Sequence, residues 1–134
     1  MAENGLITLP SMHDVGTTLD RLTKVLEANG ATIFARIDHA AGASGAGLSL
    51  RPTTLVLFGN ASAGTPLMQA AQTAGIDLPL KALVWQSEDG ITHLTYNDSA
   101  WIAARHGIAS KAQQAVGALS ATMTAVALHA TSAQ

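Results

Sequence analysis

Ala31-Thr32-Ile33-Phe34-Ala35-Arg36-Ile37-Asp38-His39 and Thr53-Thr54-Leu55-Val56-Leu57-Phe58 are the two stretches on which the fold turns. The first alternates and carries Ile33, Phe34 and Ile37, the pattern of a strand with unlike faces. The second is a β-branched and apolar run, as expected of a central strand. Pro52 stands at its entrance, where a missing N–H does least harm. Paired antiparallel, the two strands bring their scattered polar side chains into one neighbourhood.

Toward the N-terminus, Leu6 to Leu9 reads as a short strand. Ser11-Met12-His13-Asp14 fits a capping box, the Ser11 hydroxyl taking an amide hydrogen bond while Asp14 reaches back. Val15, Leu19, Leu22, Val25 and Leu26 then recur at helical spacing, and Asn29-Gly30 ends the helix. Between the two strands, Ala40 to Gly47 reads as a loop or a frayed helical turn.

Toward the C-terminus, Gly59 to Gly64 reads as a polar turn. Thr65-Pro66 then supplies an N-cap and a proline at the first helical position of a short helix closed by Gly75. Ala82 to Gln86 and Ile91 to Tyr96 read as strands joined through Ser87-Glu88-Asp89-Gly90, a tight hairpin. Asn97-Asp98-Ser99 caps a two-turn helix ending at Gly107. Ser110 opens a long alanine-rich helix striped with Val116, Leu119, Met123 and Val126. The tail after His129 is expected to fray.

Strands in pairs with helices between them predict an α+β fold, not an alternating parallel sheet. The consistent solution is an antiparallel sheet of about five strands in β-α-β-β-α-β-β-α-α order, one face covered by the first and last helices. The expectation is one domain over residues 1–134, with its core in 6–107 and a long helix over about 110–130.

The chain has 134 residues, 48% hydrophobic and 12% charged, with a net charge of −2. That is about half the usual charged share, which points to extra surface covered either by close helix packing or by a partner subunit, and a homodimer is expected. Seven Lys and Arg are scattered singly, so the basic patch of a nucleic-acid binder is missing. Without cysteine, disulfides and thiolate chemistry are excluded. The first ten residues lack the basic start and apolar run of a secretory signal, and no apolar stretch approaches a membrane span. These features set the expectation of a cytoplasmic protein without nucleic-acid or membrane partners.

Several segments together resemble a bacterial family catalogued as domain of unknown function 302. They are Phe34-Ala-Arg-Ile-Asp-His39, Arg51-Pro-Thr-Thr-Leu55, Phe58-Gly-Asn60 with Gly64-Thr65, and Leu78-Pro-Leu-Lys81 followed by Trp85. Tyr96-Asn97 and Arg105-His106-Gly107 fit the same pattern. The resemblance runs from Leu6 to Gly107 and implies a fold like that of the TATA-binding protein, a curved antiparallel sheet crossed by a helix. It implies no activity. Where other members carry proline after Phe-Gly-Asn, this chain has Ala61, a departure that bears on the stiffness of the turn.

The chemistry-bearing residues suggest a ligand site built from Asp38, His39, Arg51, Thr53, Asn60 and Thr65. Asp38 is expected to cap the turn that follows it, as Asx residues do. Arg51 is expected to pair with Asp38, or to hold a carboxylate or phosphate. The Phe58–Pro66 stretch presents helix amides that suit a small anion, but no nucleotide-binding glycine pattern occurs. The five histidines lie in different elements without paired ligand spacing, so neither a metal nor a cofactor is expected. Trp85, Trp101, Tyr96, Phe34 and the methionines Met12, Met68 and Met123 read as core. Three functions follow: a small-ligand-binding module, a hydrolase or isomerase with His39 as general base, or a dimeric interaction protein.

Overall fold

The computed structural model describes residues 3–134. Five strands, β1 (Leu6–Pro10), β2 (Thr32–Asp38), β3 (Thr53–Gly59), β4 (Leu80–Gln86) and β5 (Thr92–Asn97), form one antiparallel sheet in the order β1-β5-β4-β3-β2. The decisive pair is present: Ile37 faces Leu55 and Arg36 faces Val56. The helices are α1 (Val15–Ala28), α2 (His39–Gly45), α3 (Ala61–Ala70), α4 (Ser99–Arg105) and α5 (Gln113–Thr131), with a 3-10 segment over Gln72–Asp77. α2 is the frayed turn of the sequence, drawn into a helix with no buried residue.

Alternation along the strands explains the layers. Thr54, Val56 and Phe58 of β3, Ala82 and Val84 of β4, and Leu94 and Tyr96 of β5 are buried on one face. Against them pack Leu19, Leu22 and Leu26 of α1 and Met123, Val126, Ala127 and Ala130 of α5. Each fully buried leucine contributes about 1.5–3 kcal/mol of transfer free energy. A second apolar cluster joins α3, the 3-10 segment, α4 and the first half of α5, through Leu67, Ala74, Ala103, Ile108 and Val116. α5 therefore serves two packings, one with each half.

Three local expectations are corrected. The cap of α1 is Asp14, which accepts from the Thr17 amide at 2.7 Å, because the helix starts at Val15. Ser11 instead bonds the hydroxyl of fully buried Thr18 at 2.7 Å and accepts from the His13 amide. α3 begins five residues earlier than Thr65-Pro66 predicts: Asn60 caps it, accepting from the Ala63 amide at 2.8 Å, and Pro66 lies inside it. The tail does not fray after His129, since Ala130 and Thr131 are buried. The Met12 amide donates to Thr131 O, and the His13 ring bonds Ser132 O.

Phe34 and Met12 are exposed, not core. For Phe34 the cause is a register shift between Ile33 and Ala35, a bulge that takes the ring out of the inward alternation. Met12 sits in the turn before α1, outside any regular alternation.

Candidate functional site

The two apolar clusters meet at the end of β3, and their seam is lined by small residues. Gly59, Ala61, Ala63, Gly64 and Gly75 leave a cavity of about 560 Å³ there, walled by Phe34, Met68, Leu78, Pro79, Leu80 and Leu119. A Cβ at Gly59 or Gly64 would meet its nearest neighbour at 3.8 or 3.7 Å, ordinary contact, so the cavity and not the backbone is what glycine preserves there. A second cavity of about 260 Å³ shares Gly59, Asn60, Ala63, Leu80 and Leu119 and continues toward Asn29 and Thr122. The bulge that expels Phe34 from the core sets its ring at the mouth, beside Gly59.

No Lys, Arg, Asp, Glu or His lines the larger cavity. Its polar groups are Asn60 and Thr65. Asn60 spends its carbonyl oxygen on the α3 cap, which leaves its amide nitrogen as a donor. Thr65, freed from capping because α3 starts earlier, contributes a hydroxyl.

The six residues singled out from the sequence do not share one place. Asp38, His39, Arg51 and Thr53 lie where β2 ends and β3 begins, Asn60 and Thr65 beyond the far end of β3. Seven residues of strand at about 3.3 Å each separate the two groups by roughly 20 Å. The near group is occupied locally. Asp38 caps α2, accepting from the Ala41 amide at 2.9 Å, and Thr53 donates to Arg51 O at 2.9 Å. Arg51 does not pair with Asp38; its Nε donates to Gln86 O at 3.1 Å, tying the loop to β4. His39 is exposed at the start of α2.

A polar cluster that the sequence reading did not assemble braces the cavity wall. His106 Nε2 lies 2.6 Å from Asp77 Oδ2, and its Nδ1 is 3.0 Å from Thr73 Oγ1. Arg105 Nη1 donates to both Asp77 oxygens, at 3.0 and 3.2 Å, and the guanidinium lies over the Trp101 ring. Three contacts from two side chains thus converge on one carboxylate of low exposure. The cluster pins the 3-10 segment, which supplies Gly75 to the cavity, onto α4. Asp77 and His106 are 29 residues apart, and Arg105-His106-Gly107 stands out in the sequence only through the family resemblance.

Comparison with known proteins fixes the family. The model described as "Domain of unknown function DUF302" matches residues 7–126. The chain belongs to the DUF302 family. An uncharacterized conserved DUF302 protein from Bacillus stearothermophilus, solved by crystallography, superposes with a TM-score of 0.83 at 16% identity, over 94% of this chain and 98% of that one. At that identity the likeness is one of fold. In sequence the chain is 44% identical over 117 residues to "Fluoride-specific ion channel FluC 1" of Brucella suis and to the protein of the same name in Brucella abortus. Those 117 residues are 87% of this chain but only 46% and 43% of the two relatives. The chain spans less than half the length of the curated relatives it matches.

Proposed function

We propose that this DUF302 chain is a binding module for a small, uncharged and mostly apolar organic molecule, taken into the cavity at the end of β3. The observation that carries the reading is a preformed cavity of about 560 Å³ with an apolar wall, no charged side chain and two polar groups, Asn60 and Thr65. Ligand sites for small molecules have this size and this sparse polarity. A small inorganic anion is a poorer match, since nothing cationic faces the space. The near-end group of Asp38, His39, Arg51 and Thr53 takes no part in this reading.

The Brucella relatives extend the proposal. Among the described residues no helix is long and apolar enough to cross a membrane. On this reading the DUF302 portion of those proteins is a ligand-binding module, and the unmatched length carries the channel their name records.

The test uses the neutral fluorophore N-phenyl-1-naphthylamine on the wild-type chain and on Gly64→Phe, whose ring fills the cavity from α3. Saturable fluorescence enhancement is expected with wild type. With Gly64→Phe the affinity should fall at least about tenfold, roughly 1.4 kcal/mol, while Arg51→Ala leaves it unchanged. Equal binding by Gly64→Phe would place the probe elsewhere and reject the proposal.

A further inference from the structure

The face of the sheet opposite α1 and α5 is apolar at its centre and uncovered along its middle strands. Register places Ile37, Leu55, Leu83, Thr95 and Thr8 in one row across all five strands on this face. Leu57 and Trp85 flank that row. Leu55, Leu57 and Leu83 are half-buried by their neighbours alone, and Ile37 is exposed. Among the described residues Lys81 is the single formally charged side chain that alternation puts here. Its ammonium turns to the margin, donating to Asp77 O and Pro79 O.

We infer that this face is the contact surface for a second copy of the chain, two sheets packing face to face across a two-fold axis near Leu83. Three features select that occupant. An almost uncharged face meets its own copy without like-charge repulsion, whereas nucleic acid or a strongly charged protein would find nothing to neutralise. Strands about 4.8 Å apart and about 3.3 Å per residue make a face of roughly 24 by 20 Å. Two such faces bury on the order of 1,000 Å² together, the lower threshold of a biological interface and the size of a weak, reversible dimer. Edge-to-edge pairing is discouraged at both ends of the sheet, by the bulge in β2 and by Pro10 in β1.

Sedimentation velocity over roughly 1 μM to 1 mM tests this on the wild-type chain and on Leu83→Lys. The wild type is expected to pass from monomer to dimer. Leu83→Lys should stay monomeric with an unchanged circular dichroism spectrum. A milder variant covers the case in which Leu83→Lys does not fold. The thiol of Leu83→Cys, alone in a chain without cysteine, should lose maleimide reactivity as concentration rises, while that of Met12→Cys, which lies off this face, should not. A wild type monomeric throughout, a dimer that Leu83→Lys leaves intact, or a Leu83→Cys thiol equally reactive at all concentrations would each overturn the inference.

Discussion

Gly5 has a φ of +78° and lies flat against the Trp101 indole, where an added Cβ would come within 2.5 Å of the ring. Both strain and overlap oppose any side chain there, so Gly5→Ala should cost about 1–3 kcal/mol in urea unfolding. Asp14 gives a pH prediction. The hydrogen bonds from Thr17 hold its carboxyl below the ordinary carboxylate range. The unfolded chain therefore binds that proton more tightly, so the cap's contribution is complete above the unfolded pKa and is lost as pH falls through the folded one. Asp14→Asn keeps a capping oxygen but removes the titration. Its denaturation midpoint should fall less steeply than that of wild type as pH drops through the acid range. Single residues were legible where the chemistry is local, as with Asp38 capping the turn beside it. Asp77 was not legible, because its partners are folded onto it from 28 and 29 positions away.

At the scale of elements, hydrophobic period placed every strand and all the longer helices to within a few residues. α3 is the instructive miss. Thr65-Pro66 has the stronger local signature of a helix start, yet Asn60 caps the helix and Pro66 is accommodated inside it. Packing of Ala63, beside Leu67, into the second cluster rewards the earlier start, and tertiary burial outweighs a propensity of this size. Asn60→Ala should accordingly cost about 1 kcal/mol, with raised amide exchange in the first turn of α3. α5 carries a heavier load. Met123 is 3% exposed in the sheet–helix core, and Met123→Ala should cost about 2–5 kcal/mol, the range for opening a cavity in a packed interior.

For the whole molecule, the element that positions the proposed site is β3. Its sequence neighbours suggested one site because Asp38, Arg51, Asn60 and Thr65 all flank the same pair of strands. A strand has two ends, however, and periodicity alone does not say which end opens onto a cavity. That depends on where two apolar clusters meet and on glycines and alanines too small to fill the seam. The most direct test is an amide-resolved NMR titration of the chain with N-phenyl-1-naphthylamine. Shifts concentrated at Gly59, Asn60, Gly64 and Gly75 are the predicted result. Shifts concentrated at Asp38–Thr53, or a spectrum that does not change with added probe, would contradict the account.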